Sequence, residues 1–311
     1  MIMGLKDKIV TYREFVYDAC DFLKYNLLAA EAKGDYKYRI MLLVHSIEKG
    51  MCMTSPRSFG EEKVNKLINI ISSSAYSNRQ QDYEYRLAIS VLMAYKQYYD
   101  EQGWNEEAIY AVVEEFLKDK TENEYKAGYK VYRPLEIVKG IEAESAINIL
   151  LNRSSVRDFA NRPIESIDLD FALKCFQSAP TACNRQMCKV YDISDGELRQ
   201  LLHDKITGIS GFNTDTVNYF VITYDVAAFQ YLGERKQGLL NAGLCTMNFI
   251  NGLHSRGIGS CCLQWTNRRS EDKLVRERLG IPASERIAIV VGAGYYLEEN
   301  RVPCSVRKVR M

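Results

Sequence analysis

The stretch Tyr219-Phe220-Val221-Ile222-Thr223-Tyr224 is a short apolar run rich in β-branched and aromatic residues, the mark of a buried strand. A long, largely apolar segment follows at Gly233–His254. It is too long for a strand and reads as one helix ended by Gly257. Beyond it, Ile258–Gln264 is extended, Glu271–Leu279 helical, and Arg286-Ile287-Ala288-Ile289-Val290-Val291 a second buried strand. On the other side, Ser166 caps a helix through Ser178, Lys189–Ile193 reads as a strand, and Gly196–His203 as a short helix. From about residue 140 onward, helical and strand-like patterns therefore alternate. This predicts an α+β or α/β layer fold around a central sheet whose strand order the sequence does not give.

The first ~135 residues have another texture. Apolar residues recur near helical spacing over residues 6–30 (Ile9, Phe15, Val16, Cys20, Phe22, Leu23, Leu27, Leu28), and a helix from Tyr36 to Glu48 stops at Gly50, the usual C′ residue. Pro56 and Gly60 punctuate a loop, and residues 61–73, 80–100 and 105–118 are helical again. The polar run 119–132 is a connector. An all-α region over residues 1–138 and a sheet-bearing domain over 139–311 are the expected division.

Composition excludes several functions. Lysine and arginine number 41 against 40 aspartate and glutamate, so a formal charge of +1 gives no reason to expect nucleic acid or a membrane surface. No run reaches the ~18 apolar residues of a membrane span, and the N-terminus lacks a secretory pattern. The nine cysteines are odd in number and form no CxxC pair, and there are three histidines. Reduced cytoplasmic thiols are expected rather than zinc. His45 and Glu48 stand i,i+3, a spacing usable for a metal, but no second pair supports one. The 21 tyrosines read as amphipathic surface and interface residues.

Four segments carry candidate chemistry. In Arg153-Ser154-Ser155-Val156-Arg157, two guanidiniums flank two hydroxyls, a set suited to phosphate and a polyol, though a solvated helix boundary has the same composition. In Ser178-Ala179-Pro180-Thr181-Ala182-Cys183-Asn184-Arg185-Gln186, Pro180 breaks a helix, and Asn184 and Gln186 each offer a donor and an acceptor on one loop. Gly257-Ile258-Gly259-Ser260-Cys261-Cys262-Leu263-Gln264-Trp265 follows a helix and enters a strand, the reverse of a dinucleotide fingerprint, so its glycines read as a helix stop. The vicinal Cys261-Cys262 favours packing. The tail carries Gly294-Tyr295 and then Pro303-Cys304-Ser305-Val306-Arg307, by itself a frayed basic terminus.

In this order and spacing, the four segments over about residues 145–311 resemble the nitroreductase family. The resemblance implies an α+β, three-layer sandwich with a central mixed or antiparallel sheet, FMN as cofactor, NADH or NADPH as reductant, and a homodimer with FMN at its interface. It implies that Arg153, Ser154, Ser155 and Arg157 bind the cofactor, Arg153 at the phosphate and Arg157 nearer the ribityl chain or the N1/O2 edge. Asn184 and Gln186 would contact the ring, Leu263, Gln264 and Trp265 would pass its N5 side, and Ser305 and Arg307 would meet the phosphate. Trp265 stands where the family often has a small residue. His45–Gly50 with Pro56–Gly60 resembles an extension on members associated with surface-polysaccharide synthesis.

The expected function is hydride transfer from NAD(P)H to a small organic acceptor: a nitroaromatic, a quinone or a sugar-linked metabolite. The flavin carries the chemistry, and no side chain stands out as acid or base. The alternative is an FMN-binding protein of the same fold that acts in binding or assembly without reductase turnover.

Overall fold

The computed structural model describes residues 5–131, 133–209, 212–213 and 215–305. The chain packs as two units. One comprises residues 1–26, 135–180 and 186–311, and the other residues 27–134 and 181–185.

The second unit is helical. After α1 (Leu5–Tyr25), which belongs to the first unit, come α2 (Leu27–Glu31), α3 (Lys37–Met51), α4 (Glu61–Ile71), α5 (Tyr83–Gln102) and α6 (Ala108–Leu117). Ile40, Val44 and Ile47 of α3, Val64 and Leu67 of α4, Leu92, Tyr95 and Tyr99 of α5, and Val113 of α6 close one apolar core. The expected helix over residues 6–30 is thus two helices, and α3 runs one residue past Gly50. Gly50 does not stop α3. It is small because the Phe59 ring lies on it, with Cε2 2.0 Å from where a Cβ would stand. Phe59 cannot retreat. Its N–H donates to Tyr99 Oη at 2.9 Å, its carbonyl accepts from Tyr95 and Tyr99, and its ring meets Tyr95 edge-on at 5.4 Å. Gly50→Ala is therefore expected to cost about 1–3 kcal/mol through overpacking. A thermal melt followed by circular dichroism should show the loss, at about 2–4 °C per kcal/mol for a chain of this size.

The patch around Gly50 is structurally accounted for. His45 Nδ1 lies 3.8 Å from Glu48 Oε2. Burial pushes the Glu48 carboxyl up, opposed by the Gly128 N–H that donates to it at 3.3 Å and by His45.

The first unit holds α7 (Pro134–Val138), α8 (Ala143–Leu150), α9 (Ser166–Gln177), β1 (Cys188–Ile193), α10 (Gly196–Lys205), β2 (Asn218–Asp225), α11 (Gln237–Ser255), β3 (Ile258–Leu263), α12 (Arg269–Arg278) and β4 (Glu285–Tyr295). The four strands lie in the order β1-β2-β4-β3, every pairing antiparallel. Strand alternation sorts the core onto two faces. Tyr219, Val221, Leu263 and Val290 face Leu202 of α10 and Val275 of α12. Phe220, Ile222, Val291 and Ala293 face Ala172 and Phe176 of α9 and Phe249 and Leu253 of α11. The result is an α+β three-layer sandwich with an all-α region ahead of it in sequence.

Two local expectations need correction. Ser166 is the first residue of α9 rather than its cap, which is Glu165. Residues 232–236 form a 3₁₀ turn, and α11 proper starts at Gln237. Gly257, at φ 72°, does end that helix.

Candidate functional site

The Arg153–Arg157 segment is joined to the sheet edge. Ser155 bridges Ser260 in parallel, and the Val156 N–H donates to the Ser260 carbonyl at 3.1 Å. Val156 and Phe159 then sink into the core between the sheet and α10/α12. Two glycines make the approach feasible. A Cβ on Gly259 would stand 3.2 Å from Val156 Cβ, and one on Gly294 would stand 2.6 Å from Phe159 Cβ. The Ala160 N–H donates to the Tyr295 carbonyl at 2.9 Å and extends the join. Gly259 and Gly294 therefore make room for the Val156 and Phe159 side chains at the join, a role beyond stopping a helix.

This join sets the backbone of both arginines against the sheet edge. Arg153 and Arg157 are both half-buried, and among the described residues neither has a hydrogen-bonding or carboxylate partner. A half-buried cation without an anion is costly unless something else supplies the charge. Both act on β3. Burial pushes the Cys261 thiol up, while Arg157, a hydrogen bond with Ser155, and Arg153 pull it back. Arg153 also reaches Tyr296, whose phenol burial raises and Arg153 lowers. Tyr296 is held by His254, Nδ1 to Oη 2.8 Å, and the far nitrogen of that ring lies 3.0 Å from the Asn148 carbonyl. The Ser260 hydroxyl, 1% exposed and next to the join, has no hydrogen-bond partner among the described residues.

Further along the same edge strand, Leu263 is buried in the core, Gln264 is exposed, and Trp265 is half-buried. The indole Nε1 donates to Asp272 Oδ1 at 2.9 Å, and Asp272 also takes Arg276 Nε at 2.7 Å. Trp265 is thereby pinned to α12. Ser260 pairs with Ala293 and Leu263 with Val290, so the serine join and Gln264 are about four residues, or roughly 13 Å, apart along β3.

The loop after α9 is conformationally unusual. Cys183, Asn184 and Gln186 have φ of 53°, 51° and 49°, the left-handed region that side chains other than glycine rarely adopt. Each costs about 1–3 kcal/mol, and such strain gathers at functional sites. Thr181–Arg185 packs with the helical unit, where α3 contacts the 3₁₀ turn Ala182–Asn184. Arg185 is 2% exposed, and its Nε donates to the Ala182 carbonyl at 2.9 Å. Gln186 belongs to the sheet-bearing unit and leads into β1. Within this chain the structure brings Arg153, Ser154, Ser155 and Arg157 onto one edge with Leu263–Trp265. It does not bring Gln186 there. Cys188 lies level with Arg286 and Ser260 level with Ala293, about 24 Å apart along the strands. They also lie on opposite edges of the sheet. Ser305 is exposed, at φ 44°. Arg307 lies outside the described residues.

Sequence reasoning missed two features here. One is the Ser155–Ser260 bridge, which no local pattern announces. The other is Glu285, 0% exposed, which accepts from Lys189 Nζ at 2.5 Å, Thr223 Oγ1 at 2.6 Å and Tyr191 Oη at 2.9 Å. A glutamate directly ahead of an apolar strand was the available signal. All nine cysteines are free thiols. Among the described residues no group of three His, Cys, Asp or Glu side chains is gathered to hold a metal, and no helix is long and apolar enough to cross a membrane.

Known proteins are similar to the sheet-bearing part of the chain. A protein of Archaeoglobus fulgidus, described as an NADH dehydrogenase/NAD(P)H nitroreductase, is 26% identical over 156 residues, 50% of this chain and 88% of that one. An FMN-dependent nitroreductase from Clostridium difficile is similar in structure, with a TM-score of 0.43, 24% identity, and coverage of 51% of this chain and 92% of that one. A Parabacteroides distasonis structure described as an NADH dehydrogenase/NAD(P)H nitroreductase gives 0.46, 18%, 52% and 94%. Residues 150–235 and 219–295 of this chain match the model of the nitroreductase family.

Proposed function

We propose that residues 139–311 form an FMN-dependent oxidoreductase module that takes hydride from NADH or NADPH and delivers it to a small organic acceptor. The observation that carries this reading is the pair of half-buried guanidiniums, Arg153 and Arg157, which have no carboxylate partner among the described residues. The family match over residues 150–235 and 219–295 supports it.

The donor set fits FMN. Two arginine forks and the Ser154 and Ser155 hydroxyls suit a phosphate and a ribityl chain. The ~13 Å from the serine join to Gln264 leaves room for the phosphate at one end and the ring at the other. In this reading Arg153 and the tail residues Ser305 and Arg307 hold the phosphate. Arg157 sets a fixed positive charge at the ring's N1/O2 edge, and Leu263, Gln264 and Trp265 line its N5 side. When bound, the flavin supplies electron transfer from a nicotinamide to a nitroaromatic, a quinone or a sugar-linked metabolite. The protein's part is to bind, orient and tune, and none of these roles asks for a side-chain acid or base.

The site needs two copies of the chain. Gln186 stands diagonally across the sheet from Ser155, roughly 30 Å away by strand spacings, which is more than one flavin spans. A homodimer that sets one copy's Asn184/Gln186 loop beside the other's Arg153–Arg157 edge completes the cofactor shell. The outward face of α11 supports this pairing, with Leu240 58%, Leu244 41% and Met247 41% exposed. Such an apolar face on a helix marks an interface.

The visible spectrum tests the reading. The purified protein, supplied with FMN, is expected to retain a yellow chromophore that bleaches under NADH or NADPH without oxygen. A protein that takes up no FMN would sink the proposal. One that holds FMN but is not reduced by either nicotinamide would favour the binding or assembly alternative.

A further inference from the structure

The helix α1 is fastened along one side. Asp21, 7% exposed, takes Arg269 Nη2 at 3.0 Å and Arg286 Nη2 at 2.6 Å. One turn pair earlier, Glu14 accepts the Arg269 N–H at 3.1 Å. The Arg269 guanidinium also lies over the Tyr17 ring at 4.7 Å, and that of Arg286 over Tyr25 at 5.5 Å. Glu14 and Asp21 are seven apart, so a single line down the helix is latched to the unit by charge.

The opposite line is apolar and open. Leu5, Ile9, Tyr12, Val16, Ala19 and Leu23 follow each other at spacings of 4, 3, 4, 3 and 4, a three-heptad seam. All are exposed: Leu5 76%, Ile9 60%, Tyr12 73%, Val16 39% and Leu23 70%, with Ala19 also on the surface. Written as heptads, Ile9, Val16 and Leu23 take position a, and Leu5, Tyr12 and Ala19 position d. Glu14 and Asp21 take position f, directly behind the seam. The latch therefore aims the seam away from its own unit.

We propose that α1 pairs antiparallel with α1 of a second copy of this chain, about a twofold axis at Glu14. The spacing is its own complement under that axis. Leu5 faces the second copy's Leu23, Ile9 its Ala19, and Tyr12 its Val16, so the two inner pairs each set a larger residue against a smaller one. The flanks decide the direction. Parallel pairing sets Lys8 against the second copy's Arg13 twice, with no acid between them. Antiparallel pairing sets Phe15, 69% exposed, against its counterpart and Lys8 beside the second copy's Phe22. It leaves one like-charge meeting, Arg13 with Arg13, each with Glu14 at 4.0 Å. Three heptads make a short coiled coil, but the latch holds α1 helical and oriented beforehand, which removes the nucleation and ordering costs that make short helices pair poorly. The pair is isologous and closes on itself, a contact separate from the α11 pairing unless the two share one twofold axis.

Disulfide trapping in the full chain tests this, with Cys20→Ser removing the native thiol on the seam's flank. Within one chain, positions 5 and 23 are about 27 Å apart, too far for a disulfide. The double variant Leu5→Cys/Leu23→Cys is expected to give a covalent dimer under mild oxidation, at least tenfold more than either single variant. Dimer from Leu5→Cys alone at the same yield would mean parallel pairing. No excess over the single variants would mean that α1 docks elsewhere. Either result overturns the proposal. A second measurement guards against misfolding. Ile9→Glu/Val16→Glu, both on the open face, placed in the Leu5→Cys/Leu23→Cys variant should cut the covalent dimer at least tenfold with the melting temperature unchanged, and an unchanged yield overturns the pairing as well. The flavin spectrum is independent of these outcomes, so failure here and failure of the oxidoreductase reading can be told apart.

Discussion

With Arg153 and Arg157 both changed to alanine, the protein is expected to lose FMN while keeping its fold. Each guanidinium–phosphate or guanidinium–ring contact is a charged hydrogen bond of about 1.5–3 kcal/mol. Each removal should weaken FMN binding roughly 10- to 150-fold, and the pair by about 10²- to 10⁴-fold where the effects add. A titration of the apoprotein that follows quenching of FMN fluorescence reads this directly. The control lies in the melting temperature of the flavin-free protein. A structural arginine would cost stability when removed. Here neither side chain has a partner among the described residues, so the apo melting temperature should stay level or rise as two half-buried cations disappear. A large drop in apo stability, with FMN affinity intact, would show that the arginines serve the fold. The single changes separate the roles. Arg157→Ala should lower the flavin reduction potential with FMN still bound, because it removes a cation from the ring edge.

The second large effect concerns stability alone. Lys189→Met keeps the stem of the side chain and removes the ammonium that meets Glu285. Glu285 is 0% exposed, and its carboxylate would be left with the Tyr191 and Thr223 hydroxyls as donors. Breaking a buried pair from one side costs about 3–5 kcal/mol, chiefly from the charge that stays behind. Lys189 is itself 43% exposed, so water would have compensated the ammonium, but nothing compensates the carboxylate as well. The melting temperature should fall by about 6–20 °C. Glu285→Gln, which removes the buried charge and keeps the shape, should cost less. A larger loss in Glu285→Gln than in Lys189→Met would contradict this account.

Much of the sheet-bearing fold was legible because burial imposes a period. Residues 219–224 and 286–291 are apolar for most of their length since both faces of β2 and β4 carry helices, and Gly257 ends α11 through its positive φ. What failed to show is what depends on distant partners. Gly50 looks like a helix stop in sequence, yet its reason is Phe59, brought onto it by two tyrosines of α5. Ser166 looks like a cap, but the chain turns one residue earlier. The arginine segment was legible by residue type. Its attachment to β3 was not, because a single parallel bridge leaves no periodic trace. Asn184 and Gln186 stand out in sequence by their donors and acceptors. Their left-handed backbone was hidden, since neither is glycine.

The way the chain is apportioned has a consequence for how it can be cut. Helix α1 packs with the sheet-bearing unit, and Thr181–Arg185 with the helical one, so each unit is assembled from pieces that are separate in sequence. No single peptide bond divides them. A cleavage after residue 134 would strip the sheet-bearing unit of α1 and strand the five residues that pack beside α3. In terms of gene architecture, the helices α2–α6 are an interleaved insert rather than a leader. A truncation meant to isolate the sheet-bearing unit should carry both Leu5–Tyr25 and a substitute for the α3 surface, or expect the Cys183–Gln186 turn to relax out of its strained form.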